Sequence, residues 1–352
     1  MARRSQWAFA ADCWKEWLAR SSVQPFLRPI VWMMIPLAAL LAILLFNDSR
    51  PALSPLPGDL RALPAPPLDP RNPVTPAKVE LGKQLFNDVR LSGDQSLSCA
   101  SCHPREMAYT ETVPFSAGAH GQPMGRNTPT LLNVAYYRHI NWDGKFASIA
   151  QLIPAVMVNP RVMNLQDESV LVARLESVPA YRTSFRAVFG GPPTRERVVL
   201  AIDAYIRRLT TPNSPFDRYA AGDSTALTPA QQRGLALFAG KARCVLCHHG
   251  PNFEDDSFHS LGLATDDPGR FNITARESDR NAFKTPTIRN TTRTAPYMHD
   301  GSLATLRDVV DFFDAGGGAQ QPKAIVLRPL HLTEAEKGDL VAFLETTTGR
   351  VE

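Results

Sequence analysis

Cys99-Ala-Ser-Cys102-His103 and Cys244-Val-Leu-Cys247-His248 are the residues best suited to chemistry in this chain. Two cysteines spaced to share one helical turn, with histidine immediately after, form the attachment signature of a c-type haem. The thiols can form thioethers with the porphyrin vinyl groups, and the imidazole then falls under the iron as its proximal ligand. A single copy would equally suit a redox dithiol or half a zinc site. Two copies use four of the five cysteines and leave too few for a separate all-cysteine zinc site. A mixed Cys/His zinc site stays open. The expected cofactors are two covalently bound haems c, with Cys99, Cys102, Cys244 and Cys247 as attachment points and His103 and His248 on iron.

The elements that must position these motifs begin after an unusual N-terminus. Ile30 to Phe46 is an uncharged apolar run of 17 residues, short for a membrane span and interrupted by Pro36. A signal-peptide core is the alternative, but the flank Asn47-Asp48-Ser49-Arg50 offers no small-residue cleavage site. Basic residues before the run (Arg3, Arg4, Lys15, Arg20, Arg28) place residues 1–29 in the cytoplasm. The expectation is an uncleaved transmembrane signal anchor over 30–46, single-pass in a bacterial inner membrane, with the catalytic part in the periplasm. Cys13 then lies on the cytoplasmic side as an idle thiol. Residues 47–76 carry nine prolines and read as a semi-extended linker without a core of its own. The net charge of +4 includes no basic run interleaved with aromatics, which excludes a nucleic-acid partner.

The remainder is long enough for two modest domains, expected at 77–215 and 216–352. A weak repeat supports the pair: Gly82-Lys-Gln-Leu85-Phe86 precedes the first motif and Gly234-Leu-Ala-Leu237-Phe238 precedes the second. Helical periodicity marks 148–158, 168–178, 195–209, 305–313 and 333–344. Thr228-Pro-Ala-Gln231 and Thr333-Glu-Ala-Glu336 are capping boxes, and Gly316-Gly317-Gly318 is a helix stop. Alternating strand patterns are scarce. The expected fold class is mainly α, with two cytochrome c-like domains.

Gly125-Arg126-Asn127-Thr128-Pro129-Thr130, Trp142-Asp143-Gly144-Lys145, Asn159-Pro160, Phe283-Lys-Thr-Pro-Thr-Ile-Arg-Asn290 and Ala295-Pro-Tyr-Met-His-Asp-Gly301 carry a resemblance. In order and spacing they resemble the bacterial di-haem cytochrome c peroxidases and their methylamine-utilisation (MauG) relatives. The resemblance implies a peroxidatic-type haem on His103, an electron-transfer haem on His248, and Trp142 as a relay between them. It implies calcium between the domains, held by Asn127, Thr294 and Pro296. Oxygen-only ligation suits that hard cation.

The departures from the family pattern are as informative. Peroxide cleavage needs a group that moves a proton between the two oxygens. The family's Asn-Pro-x-Glu-Met reads Asn159-Pro160-Arg161-Val162-Met163 here, so Val162 stands in the glutamate's place. The family's nearby glutamine and proline correspond to Leu152 and Val156. Arg161 or Gln151 could substitute only after a helix rotation. At the second haem, the family's methionine or tyrosine distal ligand corresponds to Phe313, which has no donor atom. Met298 is nominated by spacing alone, and His120 lies one residue from the peroxidases' resting-state ligand. His139, His249, His259, His299 and His331 read as structural or exposed, and Met107, Met124, Met157 and Met163 as packing.

The implied activity is reduction of hydrogen peroxide, with electrons from a small c-type cytochrome or cupredoxin. The alternatives are a MauG-like oxidase of residues on a partner protein and a non-catalytic electron carrier or haem sensor. A homodimer is one assembly open to the chain.

Overall fold

The structure, a computed structural model, describes residues 56–351; the apolar run at 30–46 and Cys13 lie outside the described residues. Among the described residues no helix is long and apolar enough to cross a membrane. In chain order the elements are α1 (Pro76–Phe86), α2 (Cys99–Cys102), α3 (Ile149–Val158), α4 (Glu168–Glu176), α5 (Pro179–Phe189) and α6 (Arg195–Arg207). They continue with α7 (Pro215–Ala220), α8 (Pro229–Ala239), β1 (Phe258–Ser260), α9 (Phe271–Thr274), β2 (Ala282–Lys284), α10 (Leu306–Asp314) and α11 (Glu334–Glu345). The two strands pair antiparallel with Phe258 opposite Lys284. The fold is mainly helical.

Two hydrophobic cores form, each around a helix crossing that a glycine permits. In the first, α1 lies so close to α6 that a Cβ on Gly82 would sit 1.9 Å from the Ala201 carbonyl oxygen. In the second, α8 crosses α11, and a Cβ on Gly234 would sit 2.0 Å from the Asp339 oxygen. The repeat seen in the sequence is therefore a packing requirement met twice. Both helices start with proline in the first turn after a capping threonine, Thr75 or Thr228. The first core gathers Leu81, Leu85, Phe86, Tyr109, Ile202 and Tyr205. The second is built on the buried rings of Phe216, Phe238, Phe253 and Phe343.

The segment expected as a linker is not free of the cores. Leu60 is 3% exposed within the second core, the Leu63 amide donates to Asp217, and the Asn72 side chain donates to Asp203. Part of the proline-rich segment is thus packed onto the body instead of hanging as a spacer. Proline fixes an extended backbone, but the leucines between prolines still gain by burial. At the other end, Val351 returns to the first core.

Helix α5 lies outside the segments that helical periodicity marks. It opens on Pro179 and closes on Gly190 at φ 71°, but Arg182, Thr183, Ser184 and Arg186 dilute the stripe formed by buried Tyr181 and Phe185. The α7 turn depends on tertiary contacts: Asp217 caps Ser214 and accepts two hydrogen bonds from fully buried Arg289, at 2.8 and 3.1 Å.

Candidate haem sites and the cavity between them

The first cysteine motif forms the one-turn helix α2, and the second a 3-10 turn over Cys244–Leu246. In both, the histidine ring is held the same way. His103 Nδ1 lies 2.9 Å from the Tyr109 carbonyl oxygen, and His248 Nδ1 lies 3.0 Å from that of Phe253. An Nδ1–H donated to a carbonyl fixes the tautomer and leaves the Nε2 lone pair free for a metal. Burial pushes His103 down to about 4 and lowers His248 as well, so both rings are neutral at physiological pH. Burial also pushes the Cys99 and Cys244 thiols up to about 12 and Cys102 up to about 11.

The residues whose carbonyls accept these bonds are a matched pair too. Tyr109 and Phe253 are buried aromatics with left-handed backbones, at φ 57° and 52°. Each ring meets the phenylalanine of its own repeat edge-on: Phe86 at 6.3 Å and Phe238 at 6.1 Å. A non-glycine residue at positive φ is costly and persists only where packing enforces it. Here the ring is clamped in the core so that its carbonyl faces the imidazole.

One cavity of about 390 Å³ connects the two histidines, and Cys244, Cys247 and Trp142 also line it. Leu131, Val134, Ile140, Leu152 and Val156 make an apolar part of its lining, together with Thr110, Thr128, Thr130 and His139. Val162 packs against the same core as Leu152 and Val156. Neither suggested substitute faces this wall. Gln151 accepts from the Ala147 amide, Arg161 donates to the Pro123 carbonyl, and both are exposed. On the His248 side the lining includes Met298, His299, Leu306, Val310 and Phe313. His120 is exposed, with Nε2 3.5 Å from Asn164 Nδ2, and is not among the lining residues.

Trp142 is positioned by two loops. Its Nε1 donates to the Asn127 carbonyl at 2.8 Å, and its own carbonyl accepts from the Lys284 amide at 2.8 Å. Arg126 closes the junction with Asp143 at 2.7 Å and Asp267 at 2.6 Å. Asn127, Thr294 and Pro296 all line the cavity, and the Asn127 amide nitrogen is committed to the carbonyls of Val113 and Pro114.

Three histidines that read as structural or exposed have a place at the site. His139, His259 and His299 also line the cavity. His299 is 3% exposed and stacks on Phe283 at 3.7 Å between centroids. His259 Nε2 lies 2.7 Å from Asp255 Oδ2, and with Cys247 these two form a group whose ligand atoms lie within 4.8 Å of one another. That trio could hold a metal ion, but it omits Cys244 and His248. A pair of thiols next in sequence to a neutral, Nε2-free imidazole, occurring twice, fits covalent haem better than zinc.

A family model described as di-haem cytochrome c peroxidase matches residues 76–225. The cytochrome-c peroxidase IdrP1 of Pseudomonas sp. (strain SCT) is 39% identical over 334 residues, covering 85% of this chain and 86% of that protein. This chain belongs to the di-haem cytochrome c peroxidase/MauG family. Membership in that family implies two haems c. The methylamine utilization protein MauG of Methylorubrum extorquens is 41% identical over 280 residues, covering 78% of this chain and 79% of its own. A crystal structure of a MauG-like protein associated with microbial copper homeostasis superposes with a TM-score of 0.78 at 32% identity, covering 82% of this chain and 94% of that one. The paired imidazole–carbonyl clamps thus sit on a known di-haem scaffold.

Proposed function

We propose that this family member is a membrane-anchored, periplasm-facing enzyme that reduces hydrogen peroxide to water with two electrons and two protons. The electrons come from a small c-type cytochrome or cupredoxin. One observation carries the reading: two neutral imidazoles with free Nε2 atoms open onto one cavity whose wall holds Trp142. Haem c, when bound, supplies iron that takes up peroxide and passes single electrons.

The chain's own contribution follows from its residues. Cys99, Cys102 and His103 hold the peroxide side, and Cys244, Cys247 and His248 hold the electron-entry side. Trp142, fixed at both its indole N–H and its carbonyl, is the aromatic relay between them. Asn127, Thr294 and Pro296 are the oxygen donors proposed for a calcium ion that would stiffen the junction. Anchoring by residues 30–46 and assembly as a homodimer belong to the same proposal.

A second reading rests on the apolar wall at Leu131, Val134, Ile140, Leu152 and Val156. None of these five side chains can move a proton, and with Val162 in the glutamate's place proton transfer to the leaving oxygen is slow. Slow proton transfer delays formation of the oxidised state in the peroxidase and oxidase readings alike. An apolar lining also slows its quenching by water, so equivalents once formed would last long enough to oxidise a residue on a partner protein, the MauG-like role. A chain that retains electron transfer without peroxide reactivity is a carrier or haem sensor. Stopped-flow mixing of the reduced holoprotein with peroxide, with and without a reduced donor cytochrome, separates the three. Donor consumption supports the peroxidase, a long-lived oxidised state that spares the donor supports the oxidase, and no spectral change with peroxide, while the donor still reduces the oxidised protein, supports the carrier or sensor.

A further inference from the structure

Trp142 is not the lone aromatic between the two histidines. Tyr137 lines the same cavity, and its hydroxyl accepts from the Thr287 amide at 2.7 Å. Lys284 Nζ stands 3.5 Å from the centroid of the Tyr137 ring. That ammonium is buried, 5% exposed at its side chain, and is held by the Thr285 carbonyl at 2.7 Å and Glu254 Oε2 at 3.0 Å. Its backbone amide is the group that donates to the Trp142 carbonyl. One residue therefore joins the relay's backbone to the face of the neighbouring ring.

A cation over an aromatic face is attracted by the electrons of the neutral ring. Removing an electron from that ring places positive charge beside positive charge until the phenol proton leaves for bulk water, and burial weakens the screening. Glu254 and Asp256 offset part of this field, and the Glu254 carboxylate binds the ammonium itself. The Trp142 indole faces a neutral carbonyl acceptor instead of a cation. We propose that Lys284 is a positioning residue that makes Tyr137 hard to oxidise and so confines oxidising equivalents to Trp142. This inference rests on the reading that such equivalents cross between the two sites.

The test uses the holoprotein and a photogenerated ruthenium(III) oxidant, which removes one electron without any peroxide. In the wild type, electron paramagnetic resonance should show no tyrosyl signal that Tyr137→Phe abolishes. The double variant Lys284→Met with Glu254→Gln removes both charges and leaves no buried ion unpaired. It should raise the Tyr137-dependent tyrosyl yield on the order of tenfold. Lys284→Arg, which keeps the charge, should restore the wild-type pattern. A native haem spectrum in each variant shows that the site has folded. If the double variant disturbs that spectrum, Lys284→Gln replaces it in the same comparison. A Tyr137 radical in the wild type, or none in a natively folded charge-free variant, overturns the proposal. Absent peroxide turnover alongside the expected radical pattern would instead overturn the peroxidase reading alone.

Discussion

His248 Nδ1 and the Phe253 carbonyl oxygen stand 3.0 Å apart, and Phe253 holds that position with a left-handed backbone at φ 52° and a fully buried ring. The ring packs on Phe216 at 4.8 Å and on Phe238 at 6.1 Å, so core packing and ring orientation are one device. Phe253→Ala should cost about 3–5 kcal/mol of stability and should broaden or shift the spectrum of the second haem. Urea unfolding and low-temperature electron paramagnetic resonance of the holoprotein check both. An unchanged spectrum would mean that the carbonyl does not orient the histidine.

Val162→Glu tests the missing acid or base. If that group alone limits the first site, peroxide reactivity should rise by roughly 10²- to 10⁴-fold in stopped-flow assays. An unaltered rate would show that Val162 does not occupy the proton-transfer position.

Trp142→Phe keeps an aromatic body but removes the N–H donated to Asn127. Loss of one such hydrogen bond costs about 0.5–1.5 kcal/mol, too little to unfold the chain. Electron transfer from the second site to the first should slow, while the rate at which the donor reduces the second site stays unchanged. Equal slowing of both steps would point to a structural defect instead.

The Asp255–His259 pair gives stability a defined pH dependence. Asp255, with Cys247 behind it, holds the His259 imidazole up to about 10, above its unfolded value of roughly 6.5. Against the opposing effect of burial, hydrogen bonds from His259, Thr285 and the Ser257 amide hold Asp255 down at about 2, below roughly 3.9. A raised histidine stabilises fully below about pH 6.5 and loses that contribution toward pH 10. A depressed carboxylate contributes above about pH 3.9 and is lost toward pH 2. Asp255→Asn should therefore lower Tm most between about pH 4 and 6.5, with the gap to the wild type narrowing as pH rises to 10. A gap independent of pH would contradict the pairing.

Much of this was legible in the sequence because the signals were local. The capping boxes at Thr228 and Thr333 begin α8 and α11 as expected, and α3, α4, α6 and α10 lie close to their periodic stripes. Gly82 and Gly234 could be seen as a repeat, but the carbonyls they admit lie over a hundred residues away and were invisible. The carbonyls that hold the histidines belong to Tyr109 and Phe253, and a backbone acceptor leaves no mark in a residue's type. The packing of Leu60, and the place of His299 and Lys284 in the cavity wall, likewise depend on long-range contacts that no local pattern records.

The most direct measurement is the haem c content of the mature protein by pyridine haemochrome. It would be made on the wild type, Cys99→Ser with Cys102→Ser, and Cys244→Ser with Cys247→Ser, all matured in a host competent for haem attachment. The account predicts two haems per chain in the wild type and one in each double variant. Fewer than two in the wild type, or two retained in either variant, would contradict it.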